Sequence, residues 1–196
     1  MNDNLTEIGV VIDESGSMGH ERNDVIGGFN TFLDDQLKLD GKANLSLTKF
    51  NSSSETIYEG VDLKGVKPLD EDTYRPGGMT ALYDAIGSTI DSIGTRLAGM
   101  KEKERPGKVI IVIMTDGDEN SSREYDYTKV KNMITKQQDQ FKWEFVFLGA
   151  GIDAMKAGGS LGIHTSANAI GANDSYTMAS AAVRSYRCNG KVDLNN

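Results

Sequence analysis

The chain has 196 residues, of which 38% are hydrophobic, so we expect one domain over residues 1–196 with a substantial core, and intrinsic disorder is excluded. A formal net charge of −8, without a long run of Lys or Arg, excludes nucleic acid and anionic membrane as expected partners. The single Cys188 excludes an internal disulfide framework, and the absence of a basic leader or an apolar run of about 20 residues predicts a cytoplasmic location.

Apolar runs of strand length alternate along the chain with helical patterns, which predicts an α/β sheet. Residues 8–12 are continuously apolar, as in a strand buried on both faces. The next segment has helical spacing, and Gly27 and Gly28 within it predict close packing of this helix against the sheet. The apolar positions of that helix are Val25, Phe29, Phe32 or Leu33, and Leu37.

Two alternating segments, residues 43–50 and 55–63, predict a hairpin at a sheet edge. A strong helix follows, and then residues 109–114, whose VIIVIM sequence is the most apolar and predicts the central strand. The helix is identified by apolar residues that step along one face: Leu82, Ile86, Ile90, Ile93 and Leu97.

The last third of the chain continues the alternation. A helix around Val130 and Ile134 precedes a strand in which Trp143, Phe145 and Phe147 alternate. We predict a last strand near Ile163 and a final helix capped by Asn173 or Asp174. The element order predicts an α/β fold with a doubly wound, mostly parallel six-stranded sheet, one antiparallel edge strand, and helices on both faces.

Polar residues follow the two most apolar strands and open the strongest helix. Asp13, Ser15 and Ser17 come after the first strand, Thr80 stands at the start of the helix, and Asp116 follows the central strand. If the first and central strands are neighbours, these loops meet at the carboxyl edge of the sheet. Two carboxylates and three hydroxyls suit a hard cation, with Mg²⁺ as first choice, Mn²⁺ as the alternative and Ca²⁺ ranked below both.

The segments DESGSM, GGMTAL and TDG resemble the metal ion-dependent adhesion site of von Willebrand factor A domains, and the predicted element order fits that fold. GGFNTFL, TALYDAIG and TDGDENSS further resemble small stand-alone bacterial and phage proteins of this family. The resemblance implies that Ser15, Ser17 and Thr80 bind the metal directly and that Asp13 and Asp116 act directly or through water. No ligand position is substituted, so it also implies an intact site.

Other residues of the same loops are candidates for a partner-binding rim: Glu14, His20, Gly78, Asp118 and Glu119. Each has a plainer interpretation as a solvated loop residue. Similarly, Thr80 taken alone is typical of a helix cap, and the Asp116–Gly117 pair taken alone is typical of a turn.

The favoured function is a non-enzymatic, metal-dependent module that binds an Asp or Glu side chain of a partner protein. A metal-dependent phosphohydrolase is one alternative, because Asp13 ends a strand and an acidic loop follows the central strand. Against it, Ser15 stands where a second acid is expected for acid–base catalysis. An assembly subunit with a vestigial site is the other alternative.

Overall fold

The computed structural model describes residues 1–195, which form a twisted sheet covered by helices on both faces. The six strands are β1 (Asn2–Asp13), β2 (Lys42–Phe50), β3 (Ser54–Asp62), β4 (Pro106–Thr115), β5 (Glu144–Ala150) and β6 (Thr165–Ala169). The α-helices are α1 (Arg22–Leu37), α2 (Leu82–Gly99), α3 (Tyr127–Phe141), α4 (Ala154–Ser160) and α5 (Ala172–Asn189), with a short 3₁₀ helix at Gly16–Glu21 before α1.

The strands lie in the order β3-β2-β1-β4-β5-β6. Only β3 runs antiparallel, against β2 at the edge, and the other neighbouring strands pair in parallel. The predicted fold class and the edge hairpin are therefore confirmed. The neighbouring β1 and β4 lie at the centre, so the loops after these two strands meet at one edge of the sheet.

The core has two layers because successive side chains of a strand point to opposite faces. On one face Ile8, Val10 and Ile12 of β1 pack with α1 and α5. On the other face Val11 joins a cluster with the predicted apolar stripe of α2 and residues of β4 and β5. Among the helices described, none combines the length and apolar character of a membrane-spanning segment.

Packing of the first helix differs in two ways from the sequence prediction. Gly28 lies against Tyr176 of α5 rather than against the sheet, and Gly27 has open space where a side chain would stand. Leu37 is 41% exposed at the end of α1, so the buried stripe ends at Leu33 and Gln36. The glycine therefore permits close helix–helix contact, which periodicity within one helix cannot identify.

Near the carboxyl terminus the predicted last strand is confirmed, whereas the predicted cap of the final helix is wrong. Ile163 is buried in the turn after α4, where its amide donates to Gly158 O, and β6 begins two residues later. Helix α5 begins at Ala172 with Gly171 as its N-cap, so neither Asn173 nor Asp174 is the cap. The Asp174 carboxylate instead accepts a hydrogen bond from the amide of Ile170, 2.9 Å away.

Candidate metal site

The loop after β1 begins with a buried carboxylate. Asp13 is only 2% exposed, and its Oδ1 accepts a hydrogen bond from the amide of Ser15 at 2.7 Å. Its Oδ2 accepts from the hydroxyl of Thr115, the last residue of β4, at 2.6 Å. The carboxylate therefore links the carboxyl ends of the two central strands.

Hydroxyl groups continue this link to the second carboxylate. The Ser15 and Ser17 Oγ atoms lie 3.0 Å apart, and Ser17 donates to Asp116 Oδ1 at 2.7 Å. A serine hydroxyl has one proton, so Ser17, which gives its proton to Asp116, accepts the proton of Ser15. The chain of hydrogen bonds runs from Ser15 to Ser17 to Asp116, and both serine oxygens keep lone-pair capacity for another ligand.

Thr80 is held beside this chain by main-chain contacts. Its amide donates to Asn120 Oδ1 at 2.9 Å, and the amide of Asn120 donates back to Thr80 O at 3.0 Å. A side chain built on Gly117 would place its Cβ 3.4 Å from the Thr80 Oγ1, so that hydroxyl faces the loop that carries Asp116. Within residues 1–195 the Thr80 hydroxyl makes no hydrogen bond, although Thr80 is buried.

The glycines before Thr80 complete the second loop. The amide of Gly16 donates to Gly78 O at 3.1 Å, and the amide of Gly77 donates to Glu14 O at 2.9 Å. Gly78 has a φ of +82°, in the left-handed region that favours glycine. The backbone of the second loop thus lies directly against the loop after β1.

The five predicted ligand residues come together as a set rich in hydroxyls. Within the described chain, no group of three or more His, Cys, Asp and Glu side chains is arranged to hold a metal ion. A site here therefore depends on the neutral oxygens of Ser15, Ser17 and Thr80 together with two carboxylates. Oxygen donors of this kind suit Mg²⁺ or Mn²⁺, whereas zinc prefers nitrogen and sulfur ligands.

Electrostatics favour a positive ligand at this position. Burial raises the pKa of Asp13 above its ordinary value, the hydrogen bonds from Thr115 and Ser15 partly offset that rise, and the charge of Asp116 raises it further. A buried carboxylate beside a second carboxylate is stabilised by a cation. The residues present fit a divalent cation in both chemistry and charge.

The predicted rim residues divide into two groups. His20, Gly78 and Asp118 are exposed, as a rim requires, with the His20 Nδ1 2.6 Å from Ser17 O. Glu14 does not belong to the rim, because it is 7% exposed and its carboxylate lies 2.9 Å from the Lys49 Nζ. The prediction failed because the partner of Glu14 is 35 residues away in sequence.

Glu119 is partly exposed but is used as a cap. Its carboxylate accepts hydrogen bonds from the amide of Tyr83 in the first turn of α2 and from the amides of Ser121 and Ser122. The Asp84 carboxylate has a similar role, accepting from the amides of residues 123, 124 and 125. These acids fasten the β4–α3 loop onto α2, which positions Asp116.

Several residues that support the Asp13 loop were not predicted from the sequence. The Tyr74 hydroxyl, fully buried, donates to Asp13 O at 2.6 Å, while Thr115 contacts the Asp13 carboxylate. In the alternating pattern of residues 43–50, Lys49 stands at a position where an apolar residue is expected. This departure from the pattern could have indicated a buried charge. Tyr74 has no comparable signal, because its role depends on a contact with Asp13, which is distant in sequence.

The model of the von Willebrand factor type A domain family matches residues 7–182. The chain belongs to this family. Among curated proteins, no sequence matches it.

Solved structures of similar fold include the ArnB paralog VWA2 from Sulfolobus acidocaldarius, with 21% identity, a TM-score of 0.58, and coverage of 92% of this chain and 45% of that one. Manganese-loaded TRAP protein of Plasmodium vivax has 18% identity and a TM-score of 0.59, with 86% and 70% covered. Proximal thread matrix protein 1 from the mussel byssus, with a zinc-occupied MIDAS motif, has 15% identity and a TM-score of 0.58, with 88% and 44% covered. At these identities the likeness establishes the fold alone, and this chain spans under half of the first and third proteins.

Proposed function

We propose that this domain is a metal-dependent protein-binding module. Asp13, Ser15, Ser17, Thr80 and Asp116 hold Mg²⁺, or alternatively Mn²⁺, and a partner protein supplies an Asp or Glu side chain. The observation that carries the proposal is the convergence of two carboxylates and three hydroxyls from three loops, joined by the Ser15–Ser17–Asp116 hydrogen bonds.

Charge explains why the partner group is acidic. Asp13 and Asp116 together offset the two charges of a divalent cation, and the hydroxyls add none. A bound cation supplies a Lewis-acidic position that accepts a carboxylate oxygen of the partner. The manganese in TRAP and the zinc in the MIDAS motif of the mussel protein support a divalent cation for this fold, each as a property of that protein.

Exposed apolar side chains at the same sheet edge support a protein partner. Met79, adjacent to Thr80, is 52% exposed, and Ile170, in the loop between β6 and α5, is 98% exposed. The Ile170 loop is held close to the site because the Glu21 carboxylate accepts from the amide of Ala172. Apolar residues around a polar centre are typical of protein interfaces.

We further propose that the domain acts by binding rather than catalysis, in the cytoplasm. A phosphohydrolase needs an acid placed for proton transfer, and the residue two after Asp13 is Ser15, whose hydroxyl lies in the hydrogen-bond chain to Ser17. The proposed cytoplasmic location rests on the single cysteine, because this sequence cannot form the internal disulfides that are typical of oxidising compartments.

Metal binding is tested by thermal unfolding of EDTA-treated protein titrated with Mg²⁺ and Mn²⁺. At a metal concentration one hundred times the Kd, we expect a stabilisation of about 2.7 kcal/mol. Thr80→Val is the most informative variant, because it keeps the side-chain shape and removes a hydroxyl without a hydrogen bond. Its stability in EDTA should match the wild type, while its response to metal should be lost.

Partner binding is tested by affinity capture with the wild type and Thr80→Val, each in Mg²⁺ and in EDTA. Proteins captured only by the wild type and only in Mg²⁺ support the proposal. A wild type that is not stabilised by millimolar Mg²⁺ or Mn²⁺ refutes the metal site. A stabilised wild type whose captured proteins are unaffected by EDTA refutes the metal-dependent mode of binding.

A further inference from the structure

A buried ion pair lies directly behind the candidate metal site. The Lys49 Nζ is 2.9 Å from the Glu14 Oε1, and the two side chains are 8% and 9% exposed. Glu55 also approaches Lys49, at 3.6 Å, but its side chain is 70% exposed. Surface ion pairs contribute little, whereas a buried pair must overcome the cost of removing two charges from water.

The pair joins segments of the chain that are distant in sequence. The Glu14 Oε1 also accepts from the amide of Arg75 at 2.5 Å, and the Lys49 Nζ donates to Thr73 O at 2.6 Å. The main chain repeats the connection, since the amide of Glu14 donates to Phe50 O at 2.6 Å and the amide of Gly77 donates to Glu14 O at 2.9 Å. Glu14 thus ties the end of β2 and residues 73–77 to the loop that begins with Asp13.

Residues 73–77 lead directly to Thr80, and no regular element lies between them. We propose that Glu14 and Lys49 are positioning residues for the metal site: they fix residues 73–77 against the end of β1, so that Thr80 stands beside Ser15 and Asp116. The inference rests on the proposed function, because it concerns how the same site is assembled. Residues that orient metal ligands affect metal affinity without touching the metal.

An account based on charge alone makes different predictions. If Glu14 acted only through its negative charge, Glu14→Gln and Glu14→Ala would weaken Mg²⁺ binding equally. If Lys49 acted only through its positive charge, Lys49→Met would strengthen Mg²⁺ binding, since it removes repulsion of the cation. A positioning role predicts instead that Glu14→Gln and Glu14→Ala weaken Mg²⁺ binding unequally, and that Lys49→Met weakens it rather than strengthening it.

The test is calorimetric titration of the whole chain with Mg²⁺ alone. Gln at position 14 keeps an oxygen that accepts from Arg75 and Lys49, so Glu14→Gln should stay within about threefold of the wild-type Kd, whereas Glu14→Ala should weaken binding about 10- to 100-fold. Lys49→Met should weaken binding in the same range. The comparison of Gln with Ala suffices if Lys49→Met does not fold.

A second ion pair, between Glu7 of β1 and Arg96 of α2, provides a control. The Glu7 carboxylate is fully buried and lies 2.6 Å from the Arg96 Nη2. Glu7 is six residues before Asp13 and hence about 20 Å from it along β1. Arg96→Met should destabilise the domain against urea yet leave the Mg²⁺ Kd unchanged. This control separates positioning from general loss of stability.

The outcomes distinguish this inference from the function on which it rests. A wild type that binds Mg²⁺, with Gln and Ala at position 14 equally weakened or Lys49→Met strengthened, overturns the positioning role and leaves the metal site intact. Equal weakening by Arg96→Met and Glu14→Ala also overturns it. A wild type that does not bind Mg²⁺ overturns the proposed function and this inference with it.

Discussion

Glu119 and Asp118 are adjacent acids whose substitution should have very different effects. The Glu119 carboxylate accepts from the amides of Tyr83, Ser121 and Ser122 and from the Ser122 hydroxyl, at distances of 2.7–2.9 Å. Asp118 is exposed. We expect Glu119→Ala to lower the free energy of unfolding and Asp118→Ala to leave it nearly unchanged.

The magnitude follows from the capping role. Loss of a side chain that caps a helix costs about 0.5–2 kcal/mol, and Glu119 also holds the following loop, so we expect a loss of about 2 kcal/mol. The carboxylate is only partly buried, and water replaces some of the lost contacts, which keeps the cost below that of a fully buried charge. Asp118→Ala should stay within about 0.5 kcal/mol of the wild type.

Both variants are measured by urea unfolding and by thermal unfolding in EDTA, so that any metal effect is removed. For a chain of this size, 2 kcal/mol corresponds to a decrease in Tm of roughly 4–8 °C. Equal stability of the two variants would contradict the capping role and return Glu119 to the exposed rim. Stability lost in Asp118→Ala but not in Glu119→Ala would refute the assignment of the contacts themselves.

Two further predictions concern packing and pH. In Gly28→Ala the new Cβ would overlap the Tyr176 ring, so we expect the free energy of unfolding to fall by about 1–3 kcal/mol. Gly27→Ala has open space and should raise it by about 0.5–1 kcal/mol. Urea unfolding of both variants tests the contact between α1 and α5, and equal stabilities would refute it. Burial raises the pKa of Glu7 above 4.5, although Arg96 opposes the shift, so just above that pH the folded state holds more protons than the unfolded chain. The stability of the wild type relative to Glu7→Gln should therefore fall as pH rises from about 4.5, and a relative stability that increases with pH in urea titrations would contradict this.

The sheet was predictable because its signals are local. Residues 109–114 have no polar side chain, as a central strand covered on both faces requires, and the edge segments alternate as a half-exposed hairpin does. The apolar stripe of α2 has helical spacing throughout. Convergence of Asp13 and Asp116 follows once β1 and β4 are neighbours, because parallel strands end at the same edge.

The roles of individual acids could not be predicted in this way. Glu14 and Glu119 occur in the same motif loops as Asp13 and Asp116, and nothing in their local sequence separates ligand, cap and ion-pair partner. Their partners Lys49 and Tyr83 lie 35 and 36 residues away. The cap of α5 was likewise predicted wrongly. Asp174 is a typical capping residue by sequence, but its carboxylate accepts a hydrogen bond from the amide of Ile170, before the helix begins.

Serine rather than a further acid at position 17 has a physical reason in the direction of the hydrogen bonds. Ser17 donates its proton to Asp116 and receives that of Ser15, so the hydroxyl chain stabilises the negative charge of Asp116 while both serine oxygens retain lone pairs. An aspartate at position 17 would have no proton to give and would add a third negative charge beside Asp116. A divalent cation held by three carboxylates would carry a net negative charge and attract a partner's carboxylate less strongly. Under the proposed function, the hydroxyl chain would therefore supply oxygen ligands and leave the charge balance that an acidic partner requires.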